Sequence, residues 1–121
     1  MLFTTTPSAA HHSFAMFDPT HQLTLQGVVK DFRWTNPHAF IQLQVPDTAG
    51  STNEWSIEMA SPEHLLRAGW KPRMLKSGDR VTVVVNPMRD GSKGGQFVSA
   101  SAGDGTPIGA RQSRNAGAAE Q

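Results

Sequence analysis

The sequence predicts an all-β fold with one short helix, in the order β-β-β-α-β-β. Five segments show strand patterns, and the serine, proline and glutamate at residues 61–63 mark a helix start between the third and fourth. This is the element order of the OB-fold, a small five-stranded Greek-key barrel. A helix-capped open sheet or another small barrel is the alternative, because short strands alone do not fix a topology. At 121 residues the chain has room for one small core.

Apolar alternation predicts the first three strands. Residues 23–34 alternate and change parity after Val29, which indicates a β-bulge within a long first strand. Residues 39–45 alternate strictly, and residues 54–59 do the same. The turn-forming stretch at residues 46–53 lies between them, so the second and third strands are predicted to form a hairpin.

The remaining elements are predicted from capping and turn residues. Ser61 is a suitable helix cap, Pro62 fits the first helical position, and Gly69 can adopt the left-handed conformation that ends a helix. Valine-rich residues 80–86 and residues 96–102 are predicted strands on either side of a glycine-rich turn. The barrel domain is therefore assigned to residues 11–102.

The two ends of the chain show no strand or helix pattern. Ser8 and Ala10 are small residues of the kind accepted before a signal-peptidase cleavage site, so residues 1–10 are predicted to be a signal-peptide remnant or a disordered leader. Cleavage there would leave His11 as the first mature residue and would place the protein in the periplasm or outside the cell. Residues 103–121 are small and polar without periodicity and are predicted to be a disordered tail.

Composition limits the classes of function. Eleven basic and ten acidic residues give a net charge of +1, which indicates no strong electrostatic partner. The absence of cysteine excludes disulfides, thiolate zinc sites and cysteine nucleophiles. No stretch approaches the roughly eighteen consecutive apolar residues of a membrane-spanning helix, so no membrane span is expected.

Several short motifs resemble those of a bacterial family of small exported proteins of unknown function. The similar segments are HHSF at residues 11–14, TNPH at residues 35–38, SP at residues 61–62, GW at residues 69–70 and GD at residues 78–79. The resemblance extends over residues 11–102. It implies export and a compact β-rich domain, and it implies no activity.

The loop between the first two strands is the candidate ligand site, because this loop borders the ligand-binding face of OB-folds. It combines an aromatic ring with amide and imidazole groups that can hydrogen-bond a ligand. The candidate residues are Trp34, Thr35, Asn36, His38 and Phe40. The competing interpretation is a simple Asn-Pro turn with the tryptophan filling the core.

Three histidines are candidate metal ligands. A mature amino terminus at His11 would offer its α-amine and ring to one metal, and His12 or His38 would add a third nitrogen suited to copper(II). Copper is therefore the one cofactor considered, and none is established. The competing interpretation makes the histidine pair a polar lead-in and His38 a loop-stabilising residue. His21 and His64 are weaker candidates, in a turn and on the short helix.

The leading functional hypothesis is an exported, non-catalytic module that binds a small ligand or a protein partner. The alternative is a structural or interaction domain of an envelope assembly. A single-stranded nucleic-acid binder that stacks bases on Phe32, Trp34 and Phe40 is disfavoured by the near-zero charge. No enzyme is expected, because Glu54 and Glu58 have the parity of a solvated strand face.

Overall fold

A computed structural model describes residues 15–109 and contains the predicted elements in the predicted order. They are β1 (Leu23–Arg33), β2 (Phe40–Pro46), β3 (Thr52–Glu58), α1 (Pro62–Arg67), β4 (Arg80–Pro87), β5 (Gly94–Ala102) and β6 (Pro107–Ile108). The predicted boundaries of the first five strands agree with these to within two residues.

The strands form one sheet that closes into a barrel. Its order is β3-β2-β1-β4-β5-β6, and β3 also pairs with β5, which joins the two sides of the sheet. The closing pairing is parallel and spans Ser56 to Glu58 on β3. All other strand pairings are antiparallel. This closed five-stranded barrel with one helix confirms the OB-like fold class.

Strand β1 contributes to both sides of the barrel. Its first half pairs with β4 and its second half with β2, with Val28 shared by the two ladders. The register with β2 shifts between Val29 and Asp31, which confirms the predicted bulge. Gly27 lies before this bend, where a Cβ atom would be 2.3 Å from the carbonyl oxygen of Gln44. The close passage of β1 over β2 therefore requires a glycine at this position.

The inward-facing side chains form a single core. Its largest fully buried side chains are Val29, Ile41, Leu43, Ile57, Trp70, Val83 and Val85. Helix α1 contributes Leu65 to this core, and the Ser61 hydroxyl caps the helix by accepting a hydrogen bond from the His64 amide at 3.2 Å. Within residues 15–109, no helix is long and apolar enough to cross a membrane.

The sheet continues beyond residue 102, where the sequence predicts a tail. A turn at residues 103–106 is closed by a 2.7 Å hydrogen bond from the Ala102 amide to the Thr106 carbonyl, and β6 then pairs with β5. Ile108 packs against the core. A two-residue strand after a glycine-containing turn has too little alternation to be detected from sequence.

Replacing Gly27 with alanine should destabilise the barrel, because the new methyl group would meet the Gln44 carbonyl oxygen. Overpacking of this kind costs about 1 to 3 kcal/mol of unfolding free energy. Gly103→Ala is the matched control, since a Cβ there lies at an ordinary 3.4 Å from Arg80 Cβ. Urea unfolding of both variants measures the difference, and equal midpoints would contradict the close approach.

Candidate ligand-binding face

Six side chains of β2 and β3 point away from the core and form what we call the outer face. Antiparallel register places them opposite one another in three pairs: Phe40 with Glu58, Gln42 with Ser56, and Gln44 with Glu54. The residues between them on β2 and β3 face inward, and Ile41, Leu43 and Ile57 are fully buried. The loop with the predicted ligand residues joins β1 to β2 at the Phe40 and Glu58 end of this face.

The loop is anchored by backbone and side-chain hydrogen bonds. The Ala39 amide donates to the Ala60 carbonyl at 3.0 Å, and the Met59 amide donates to the Ala39 carbonyl at 2.8 Å. The Thr35 hydroxyl donates to the His38 carbonyl at 3.0 Å. Asn36 and the cis-linked Pro37 are exposed at its tip. Thr35 therefore stabilises the loop, and the tip is left open to solvent.

Trp34 belongs to the core side of the loop. Its ring meets Phe32 edge-on with centroids 5.8 Å apart, and both rings pack against the buried core. Phe32 in turn lies 6.1 Å from Trp70. Two of the three aromatic residues considered as a stacking platform thus form part of the core, and only Phe40 lies on the outer face.

His38 forms a hydrogen-bonded pair with Glu58, and we call these two residues the His38 pair. The ring Nδ1 contacts carboxylate Oε2. Because an ionised carboxylate can only accept, Nδ1 is the donor. The side chains are 25% and 16% exposed, so the pair is shielded but still borders solvent. It connects the loop to the end of β3.

A second group of polar side chains, the Gln42 network, lies further along the outer face. The Glu54 carboxylate accepts from Lys30 Nζ through one oxygen and from Gln42 Nε2 through the other, both at 2.8 Å. The Ser56 hydroxyl donates to Gln42 Oε1 at 2.8 Å. Gln42 is only 6% exposed, and both ends of its amide are engaged, as burial of a polar group requires.

The two groups differ in what they leave available. In the Gln42 network, both Glu54 oxygens and both ends of the amide have partners. In the His38 pair, within residues 15–109, ring Nε2 and the second oxygen of Glu58 have none. Of these two groups, the His38 pair therefore retains more polar atoms that can contact a ligand.

The basic residues of this side of the barrel are already paired. Lys30 is held by Glu54, and Arg33 Nε donates to Asp31 at 3.0 Å. Lys93 lies 5.9 Å from the centroid of the Trp55 ring. No basic stripe remains on the outer face among the described residues, so the arrangement is poorly suited to a phosphate backbone.

Of the predicted metal ligands, only His38 lies in the described part of the chain, since His11 and His12 precede it. Phe17 bridges to Met88 as an antiparallel extension beside β4. Within residues 15–109, no three histidine, cysteine or acidic side chains converge as a metal cluster.

The other two histidines of the described residues lie elsewhere. His21 Nδ1 is 2.7 Å from Asp18 Oδ2 in an exposed turn. Hydrogen bonds from Thr20 and then His21 lower the pKa of Asp18. His64 is exposed on α1. Neither approaches the outer face through any contact in the structure, which makes His64 a useful control for His38.

The residue that the sequence analysis missed is Glu58. Its outward parity was correct, but a solvated charge was the expected role. The signal was present in the predicted hairpin, because the register across residues 46–53 brings the start of β2 beside the end of β3. The length and geometry of that connection decide which residues meet, and the alternation alone does not.

Comparisons with known proteins agree with the OB-like fold, and the family that matches the chain has no known function. The model of a family of unknown function (DUF6152) matches residues 1–97. A search among curated proteins finds no sequence match.

Solved structures similar to the chain include a single-stranded DNA binding protein and a domain of a PriB protein. The mitochondrial single-stranded DNA binding protein Rim1 of S. cerevisiae has a TM-score of 0.51 at 10% identity, covering 68% of this chain and 91% of that chain. The N-terminal domain of the PriB protein from Thermoanaerobacter tencongensis has a TM-score of 0.46 at 17% identity, covering 69% and 96%. At such identities the Rim1 similarity concerns the fold alone.

The Gln42 network should make stability depend on pH. Hydrogen bonds from Lys30 and then Gln42 lower the pKa of Glu54 below its ordinary value of 4.5. A carboxyl with a lowered folded-state pKa stabilises the fold above its unfolded-state pKa, and this stabilisation is lost as pH falls through the folded-state value. Glu54→Gln should therefore be less stable than the wild type at neutral pH, and the difference should shrink in acid.

Chemical denaturation from neutral pH down to about pH 3 checks this expectation. Glu63→Gln is the control, because Glu63 forms only an exposed ion pair with Arg67 on α1. A wild-type advantage over Glu54→Gln that stays constant across the pH range would contradict the role of the ionised carboxylate.

Proposed function

Since the chain belongs to DUF6152, a family of unknown function, we propose from its own geometry that it is an exported, non-catalytic binding module. Its ligand is a small polar molecule or a protein partner, bound at the His38 pair. The observation that carries this proposal is that, within residues 15–109, His38 Nε2 and one oxygen of Glu58 have no partner, at the loop that OB-folds use for ligands.

The energetics favour the His38 pair over the rest of the outer face. A ligand that entered the Gln42 network would have to replace existing hydrogen bonds, and each buried polar group left without a partner costs about 1 to 3 kcal/mol. At the His38 pair a ligand gains contacts and breaks none. The exposed tip of the loop, with the Asn36 amide, adds donors and acceptors at the border of the same site.

The arrangement of the carboxylates supports a non-catalytic role. Glu54 and Glu58 are four residues apart on β3, about 13 Å at the usual rise of a strand. Paired catalytic carboxyl groups in glycosidases are closer, about 5 to 10 Å apart. Each glutamate is also held by its own partner, Lys30 or His38, in a different direction.

Export is supported by the leader, which lies outside the described residues. Ser8 and Ala10 provide the small residues of a signal-peptidase site. The protein would then act in the periplasm or outside the cell, where a binding module can meet a polar ligand or another envelope protein.

Nucleic-acid binding, which the printed name of the Rim1 neighbour describes for that protein, is less well supported here. Base stacking needs exposed aromatic rings and a basic groove. Phe40 is the one aromatic residue on the outer face. Lys30 and Arg33 already form ion pairs with acidic residues. The alternative is a structural or interaction domain of an envelope assembly, which co-purification from membranes with a constant partner would support.

Mass spectrometry of the protein isolated from its native host tests this proposal. Denatured samples should begin at His11, and native samples should retain an additional bound mass. That mass should persist in His64→Gln and disappear in His38→Gln, because the His38 ring is paired with a carboxylate at the proposed site, whereas His64 is exposed on α1. A chain that begins at Met1 would contradict export. An identical bound mass in both variants, or a bound oligonucleotide, would contradict the proposed site.

A further inference from the structure

The polar surface at the end of β3 continues onto β5 and β4, where the barrel closes. Parallel pairing of β3 with β5 places Gln96 beside Glu58, and β5 in turn pairs Gln96 with Asn86 on β4. Phe97 and Val85, the next register pair, belong to the core side, so the two amide residues face outward. We call Gln96 and Asn86 the amide pair. A row of polar side chains therefore crosses the closing pairing of the barrel.

The amide pair is oriented so that a donor is left beside Glu58. Asn86 Nδ2 donates to Gln96 Oε1 at 3.1 Å, which holds the Gln96 oxygen on the β4 side. Within residues 15–109, Gln96 Nε2 has no partner. The same arrangement leaves Asn86 Oδ1 buried without a hydrogen bond, which is unfavourable for stability. This cost has a reason if Asn86 serves to fix the Gln96 amide for a ligand.

We propose that the His38 pair and Gln96 together bind an organic cation with at least two N–H donors, such as a primary ammonium or a guanidinium group. This inference rests on the proposed function, because it names the ligand class of the same site. In the neutral ring Nδ1 donates to Glu58, so Nε2 can only accept, as can the remaining oxygen of Glu58. These two acceptors suit N–H groups, and Gln96 Nε2 suits a carbonyl or hydroxyl of the same ligand.

Charge favours a cation over a neutral or anionic ligand. The Glu58 side chain is 16% exposed, and a ligand that covers its free oxygen removes a negative charge from water. A cation compensates that loss, and an anion makes it larger. Arg33, beside Phe40 on β1, has its own charge balanced by Asp31. Phe40 lies directly opposite Glu58 and adds an aromatic side chain, which attracts organic cations.

NMR titration of the full chain with small probes at constant ionic strength tests this class. Glycinamide at about pH 7, where its amine is mostly protonated, should shift the His38 ring and Gln96 side-chain signals saturably in the millimolar range. Ethylammonium, which lacks the carbonyl, should bind more weakly at the same signals. Tetramethylammonium has the charge without N–H donors and should bind more weakly still. Acetamide and acetate, which lack the positive charge, should give no saturable shifts.

Three variants test the separate parts of the site. Glu58→Gln removes the charge with little change in size and should abolish the saturable shifts. Gln96→Ala should weaken glycinamide binding by about 2- to 10-fold, the loss of one hydrogen bond, and should leave ethylammonium binding unchanged. Gln44→Ala is the matched control, because Gln44 is an exposed glutamine of the outer face away from the row.

The comparison of probes on the wild type does not depend on the folding of any variant. Equal binding of tetramethylammonium and ethylammonium, or saturable binding of acetate or acetamide at the same signals, would overturn the proposal. Glycinamide binding that is as strong in Gln96→Ala as in Gln44→Ala would also overturn it. If no probe binds while the native bound mass still disappears in His38→Gln, the binding module stands and only the organic cation is excluded.

Discussion

The antiparallel register of β2 and β3 is the constraint on which the candidate site depends. It places Phe40 opposite Glu58 and Gln42 opposite Ser56 on the outside of a closed barrel. A slip of one residue would turn Ile41 and Ile57 outward and bury glutamates in their place. The apolar core therefore fixes the register, and the register in turn brings the end of the loop between β1 and β2 to the carboxylate at the end of β3.

Two groups of polar residues share this surface and have different consequences. The Gln42 network provides hydrogen-bond partners for a nearly buried amide, and the partner atoms are occupied by these bonds. The His38 pair uses one atom of each partner and leaves a ring nitrogen and a carboxylate oxygen available. The number of polar atoms left without a partner thus distinguishes a structural role from a binding role. The sequence alone does not show this difference, because both groups consist of similar polar residues. The same argument weakens the case for nucleic-acid binding, since basic side chains on this surface already form ion pairs with acidic ones.

Much of the fold could be predicted from local patterns. Alternation assigned the faces of β2 and β3, the parity change located the bulge after Val29, and Ser61 with Pro62 located the helix start. The short strand β6 was missed because a two-residue pairing depends on β5 and has no pattern of its own. Trp34 was considered a ligand platform, but it shares the inward parity of Phe32 and packs on the core. The partner of His38 depends on a contact across twenty residues of sequence, which only the register of the hairpin determines.

The central claim is that Glu58 fixes His38 with a hydrogen on Nδ1 and a lone pair on Nε2. Long-range proton–nitrogen NMR correlation of the imidazole rings measures this tautomer directly. When the ring is neutral, His38 should carry its hydrogen on Nδ1 and none on Nε2. Glu58→Gln should shift it toward the mixture expected of the exposed His64 ring. A wild-type His38 that is protonated on Nε2, or that matches His64, would contradict the account.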